Sequence, residues 1–194
     1  MLRVLFVCTG NRCRSPFAAA ALASFTEGMP VEIDSAGTAE IGAQAPTDKA
    51  MQVASAMGID MTGHLSKSIA RVDPGEFDAV IGFERGHVAM AVVDAGVPHD
   101  RAFLLPELVR LLGNGLVAEG GEPAEHARAA LRGAHRARGN GFVPGEEIDD
   151  PIGQPVSVYE RVYGQIHDLT RALAAGLFRT GGSRPQRSVE GITW

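Results

Sequence analysis

The chain opens on an apolar run, Leu2 to Val7, broken only by Arg3 and rich in branched and aromatic side chains. A strand buried on both faces, as in a parallel sheet, accounts for that pattern. "FAAAALASF" follows as an alanine-rich helix that can pack closely on the sheet, with Pro16 in its first turn and Ser15 as its N-cap. "VEIDS" reads as a second strand. "PTDKAMQVASAMG" reads as a helix with Pro46 at its start and Gly58 at its end. "FDAVIGF" is a third strand, a helix runs from about Glu84 to Ala95, and "RAFLLP" is the candidate fourth strand. Strands alternating with helices predict an α/β fold of three layers, a four-stranded parallel sheet flanked by helices.

The rhythm changes between about residues 107 and 147, where the pattern predicts a helical insertion. Leucines at 104, 105, 108, 111 and 112 form a stripe that a helix would bury. A glycine-rich break separates them from "PAEHARAALRGAHRAR", a basic helix, and "VSVYERVYGQIHDLTRALAAGL" then forms a long amphipathic one. Residues 1–178 are expected to make one domain. The Gly/Ser/Arg-rich residues 179–194 are expected to form a mobile tail, with Trp194 as a docking point. No internal repeat is visible.

Composition narrows the function. At 194 residues and 45% hydrophobic, the chain can bury a real core. A net charge of −5 leaves no global basic footprint for nucleic acid. No run has membrane-spanning length, and the N-terminal run is too short for a signal-peptide core. The only cysteines, Cys8 and Cys13, lie too close together to staple a fold, so a reducing, cytoplasmic setting is expected.

Those two cysteines belong to "VCTGNRCRSP", a loop between the first strand and the first helix. Backbone amides turned inward and a helix N-terminus make such a loop an anion site. A cysteine at its start meets that potential plus Arg14, a setting that favours thiolate. Arg14, six residues on, can return across the loop and grip a phosphate bidentately. Gly10 and Asn11 suit turns with positive φ. A lone cysteine is usually a small buried hydrophobe, but Cys-x5-Arg-Ser between strand and helix points to a nucleophile. Cys13 is either a redox partner for Cys8 or a packed loop residue.

"CTGNRCRSP" resembles the signature of low-molecular-weight protein tyrosine phosphatases, and the resemblance covers roughly residues 1–105 and 148–178. "SAGT" at 35–38, "GID" with "GHLS" at 58–66, "FDAVIGF" at 77–83 and "DDP" at 149–151 support it. The resemblance implies Cys8 as nucleophile forming a phosphocysteine, Arg14 as phosphate clamp and Asp150 as general acid, with Asp149 as the fallback. It implies a phosphate cradle from Thr9, Gly10, Asn11, Arg12, Cys13, Arg14 and Ser15. It also implies a hydrogen-bond network of Asn11, Ser15, Ser35 and His64 bracing the loop. Taken singly, Asp150 could be a solvated turn residue, His64 a structural histidine and Ser35 a strand-end cap. No cofactor or metal is implied; the partner is a phosphorylated protein or a small-molecule phosphate.

Three features depart from the family. The aromatics usual after the Asp-Pro are replaced by Ile152 and Gly153. Arg12 stands before the second cysteine, where phosphoarginine-specific relatives carry threonine; a cation there disfavours a guanidinium leaving group and favours acidic substrates. Within the insertion, Arg128, Arg132 and Arg136 recur every four residues and, with Arg138, form either a substrate-steering rim or an ordinary solvated face. His126 and His135, nine apart, fall on opposite helix faces, which argues against a metal pair. The rival functions are an arsenate reductase relying on an external small thiol and a non-catalytic phosphate-binding module.

Overall fold

A computed structural model describes residues 1–113, 121–139, 143 and 145–178. The tail at 179–194 and its Trp194 lie outside them. Strand β1 (Leu2–Cys8) has β2 (Val31–Gly37) on one side and β3 (Ala79–Gly82) on the other. With β4 (Ala102–Leu104) the parallel sheet has the order β2-β1-β3-β4. All of β1 but Arg3 is buried, because helices cover both of its faces. Leu2, Val4, Phe6 and Cys8 share a core with α1 (Arg14–Phe25) and α6 (Val156–Leu177). Leu5 and Val7 share another with Ala91 of α3 (Arg85–Val93). The alternation is the period of two that a strand imposes.

The chain passes from β1 to β2 on one side and then crosses to β3 on the other. That reversal opens a crevice at the carboxyl ends of β1 and β3. Cys8 ends β1 there, and the loop that follows lies in the crevice.

Several boundaries differ from the pattern's prediction. Helix α1 starts at Arg14 with Cys13 as its N-cap, so Ser15 is inside the first turn, and its hydroxyl serves the loop instead. Helix α2 (Asp48–Ala56) is capped by Thr47, whose side chain accepts from Ala50 N, and Pro46 precedes it. Gly58, at φ 73°, follows in the left-handed conformation that ends a helix cheaply. Helix α3 starts at Arg85, with Glu84 as its N-cap. Strand β4 stops at Leu104; Leu105 already belongs to α4 (Leu105–Gly113), which buries Leu105, Leu108, Leu111 and Leu112. The leucine stripe is thus shared between a strand end and a helix.

Helix α5 (Pro123–Ala137) buries Ala124, Ala127, Leu131 and Ala134 and packs on α4 and α6. Its basic face corrects the steering reading. Arg128 donates to Met1 O and, at 3.0 Å, to Asp78 Oδ1, residues that precede β1 and β3. This is the amino end of the sheet, one seven-residue strand away from Cys8, or about 20 Å. Arg132 and Arg136 line a cavity of about 310 Å³ with Asp78, Asp100 and Arg128 there. Arg138 is spent on Glu107 and the Phe103 ring. The arginines therefore do not rim the Cys8 loop.

Candidate active site

The loop after β1 is held in shape by a network centred on Asn11. Asn11 has φ 50°, a left-handed conformation that asparagine tolerates better than most residues. Its Nδ2 donates to Ser15 Oγ at 3.0 Å and Ser35 Oγ at 2.9 Å, and its Oδ1 accepts from Lys67 N at 3.0 Å. Its carbonyl accepts from His64 Nε2 at 2.8 Å. Asn11, Ser15, Ser35 and His64 are thus brought into one connected network. Gly37 lets β2 come this close: a Cβ there would stand 2.9 Å from Thr9 O. From the other side, Tyr163 of α6 donates to Cys13 O at 3.1 Å while its ring stacks on Phe17, 4.0 Å between centroids.

Cys8 is 3% exposed, and its Sγ lies 3.0 Å from Ser15 Oγ. Because that oxygen already accepts from Asn11, its hydrogen can turn to the sulfur. Cys13 is buried and free, with Sγ 3.4 Å from Thr47 Oγ1; burial pushes its thiol pKa up, which keeps it neutral and packed.

Among the described residues Arg14 is the most deeply buried charged side chain, 1% exposed. Its Nη1 donates to Glu84 Oε1 and, at 3.0 Å, to Ile148 O. Its Nη2 lies 2.7 Å from Asp150 Oδ2. Among the described residues nothing accepts from its buried Nε. The two adjacent aspartates are clearly separated. Asp150 faces Arg14 and accepts from Ile152 N at 3.0 Å, whereas Asp149 points outward to Arg161 at 2.9 Å. Arg12 is tethered: its Nε donates to Ala45 O at 2.8 Å, tying the loop to the segment before α2. At the mouth, Ile41 and Ile152 are exposed, and Ile41 lies over Gly10.

Two residues of the site were not singled out in the sequence. Glu84 and His87 enter from the first turn of α3. His87 is 4% exposed; its Nε2 lies 3.0 Å from Thr9 Oγ1, and its Nδ1 accepts from the amides of Phe83 and Glu84. Burial, and then the Arg14 charge, lower its pKa to about 4. The available signal was "GFERGH": Gly82 is small where a Cβ would press on His87 at 3.0 Å, and Glu84 and His87 are one helical turn apart. Its meaning depends on β3 lying beside β1, which spacing alone does not reveal.

Among the described residues no group of three or more His, Cys, Asp or Glu could hold a metal ion. No described helix is long and apolar enough to cross a membrane.

A cysteine sulfur at a strand end, a loop leading into a helix N-terminus, a buried guanidinium and a facing carboxylate are the groups that phosphate-ester cleavage by cysteine requires. Comparison with known proteins identifies the family. Residues 3–119 match the family described as low molecular weight phosphotyrosine protein phosphatase. A protein-arginine-phosphatase of Geobacillus stearothermophilus is 33% identical over 66% of this chain and 85% of its own. The low molecular weight protein-tyrosine-phosphatase Etp of Escherichia coli K12 is 24% identical over 91% of this chain and 95% of its own. A solved low molecular weight protein tyrosine phosphatase from T. tengcongensis superposes with a TM-score of 0.67, at 27% identity, covering 89% of this chain and 97% of that one. The chain belongs to the low molecular weight protein tyrosine phosphatase family of cysteine-dependent phosphatases.

Proposed function

We propose that Cys8 attacks the phosphorus of a phosphate monoester, most suitably a phosphotyrosine in a protein, and carries the phosphoryl group as a phosphocysteine. In the first step an S–P bond forms, the ester P–O bond breaks, and Asp150 gives its proton to the leaving oxygen. In the second, Asp150 takes a proton from water as the water oxygen bonds to phosphorus. The P–S bond then breaks, releasing inorganic phosphate and regenerating the thiolate, so protons and electrons balance over the cycle. Ser15 donates to the sulfur whenever it carries charge. The amides of residues 9–15 and Arg14 hold the phosphoryl oxygens, whose charge grows in each transition state. Asn11, Ser35 and His64 act indirectly by keeping that loop in its shape.

The observation that carries this reading is Arg14. A guanidinium so deeply buried, with both terminal nitrogens held and Nε without an acceptor among the described residues, keeps one N–H that a phosphoryl oxygen would satisfy. For the leaving group, exposed Ile41, beside Gly10, and exposed Ile152, two residues after Asp150, offer aliphatic contacts to a flat ring in place of aromatic ones. A second reading, phosphoarginine, is favoured by Glu84 and Asp150, which put two carboxylates at the clamp where a guanidinium could be received. Two relatives are also named as protein-arginine-phosphatases. Two unpaired cysteines suit a reducing, cytoplasmic setting.

Turnover of matched phosphotyrosine and phosphoarginine peptides separates the two readings. A higher kcat/KM for the tyrosine peptide is expected; preference for the arginine peptide would transfer the assignment, and turnover of neither would leave a small-molecule phosphate.

A further inference from the structure

His87 is chemically committed in a way the catalytic steps above do not use. Its Nδ1 receives two backbone N–H groups, from Phe83 at 3.4 Å and from Glu84 at 3.2 Å. Both are obligate donors, so that nitrogen holds a lone pair and the ring proton resides on Nε2. Nε2 therefore donates to Thr9 Oγ1, 3.0 Å away. Thr9 is the first residue after the nucleophile, and its hydroxyl, receiving one hydrogen bond, keeps its own hydrogen to give. A hydroxyl that accepts is also a better donor, because the two bonds polarise each other.

The place of this pair matters. His87 Nε2 is 4.0 Å from Glu84 Oε1, and Glu84 holds Arg14, which holds Asp150. The Thr9 hydroxyl, one residue after Cys8, is thus tied through His87 to the first turn of α3, whose Glu84 meets Arg14, while Thr9 O is fixed by Ala39 N at 2.9 Å. We propose that His87 is a positioning residue: it locks the Thr9 hydroxyl as a hydrogen-bond donor to the phosphoryl group that Cys8 carries, so that Thr9 adds a side-chain donor to the amide cradle. The inference rests on the phosphocysteine mechanism above and assigns to Thr9 and His87 a task within it.

The two nitrogens of His87 allow a test that separates positioning from mere structure. His87→Asn puts an acceptor near the Nδ1 place, where it can serve the Phe83 and Glu84 amides, but it is too short to reach Thr9. His87→Gln can reach Thr9 with an N–H. Thr9→Val removes the hydroxyl at nearly constant shape, and Thr9→Ser keeps it. With an aryl phosphate, His87→Asn and Thr9→Val should each lower kcat about 10-fold with KM little changed, a fraction of what loss of a central oxyanion donor costs. The double variant His87→Asn/Thr9→Val should be no slower than Thr9→Val alone. His87→Gln and Thr9→Ser should recover most of the loss. Multiplying losses in the double variant, or wild-type kcat in His87→Asn, would overturn the proposal. Thermal unfolding of each variant shows whether a slow enzyme is a folded one; if His87→Asn is unfolded, the Thr9→Val against Thr9→Ser comparison decides alone. Quenched samples of the wild type report phosphocysteine directly. Its presence with unchanged rates in all variants refutes this inference while sparing the mechanism, and its absence refutes both.

Discussion

Asp150 Oδ2 and Arg14 Nη2 are 2.7 Å apart, so the proposed proton donor and the proposed phosphate clamp form one unit in which the position of each depends on the other. Arg14 cannot drift, being held at its other end by Glu84 and Ile148 O. The carboxylate is therefore aimed by a buried group, although Asp150 itself is 37% exposed at the mouth.

Replacing that carboxylate should expose its task. Asp150→Asn is expected to lower kcat by roughly 10²-fold or more on alkyl or unactivated aryl phosphates, and far less on p-nitrophenyl phosphate. A good leaving group needs little protonation. Asp149→Asn should change neither by more than about twofold, since its partner Arg161 lies outside the clamp. Rates across a leaving-group series check both; the steep dependence appearing in Asp149→Asn instead would exchange the two roles.

His87 makes the fold sensitive to acid in a predictable window. Its pKa in the folded chain is about 4, against 6.5 ordinarily, so between those values the unfolded chain binds a proton that the folded one does not. Stability is then complete above about pH 6.5, falls as pH drops toward 4, and loses nothing more from this group below that. The slope approaches 1.4 kcal/mol per pH unit at most. Urea unfolding at stepped pH should show it, with Arg14, Glu84, Glu147 and Asp150 as the charges that modulate it. In His87→Gln the slope across this window should flatten.

The basic face of α5 should be silent in catalysis. Arg132 and Arg136 line their cavity at the amino end of the sheet, beside Asp78. That distance, about 20 Å, exceeds the screening length of about 8 Å at physiological salt. Arg132→Glu/Arg136→Glu should keep kcat/KM for an acidic phosphopeptide within about twofold of wild type at 150 mM salt. A several-fold fall would restore the steering role that the fold removes.

What the sequence reveals here follows the range of the forces involved. The loop between β1 and α1 is legible because its parts are consecutive: strand, glycine, asparagine, arginine and helix start lie within ten residues. The boundaries near it are less so. Ser15 looks like a cap by composition, yet the helix begins a residue earlier and the hydroxyl is drawn to Cys8 and Asn11. Glu84 and His87 escaped notice because their partners, Arg14 and Thr9, are 70 and 78 residues away. The sequence pattern shows α5 as a basic helix but not its location, since its place depends on Leu131 and three alanines finding α4 and α6. Periodicity tells a helix which face to bury, not which neighbour will cover it.

Everything proposed for the site turns on Cys8 as the carrier of the phosphoryl group. Rapid-quench mass spectrometry during turnover of an aryl phosphate reads this out. One phosphate is expected on the peptide containing Cys8, formed in a burst before steady state. None is expected on that peptide in Cys8→Ala, which should have no measurable turnover. Phosphate on another residue, or turnover persisting near the wild-type rate in Cys8→Ala, would contradict the assignment.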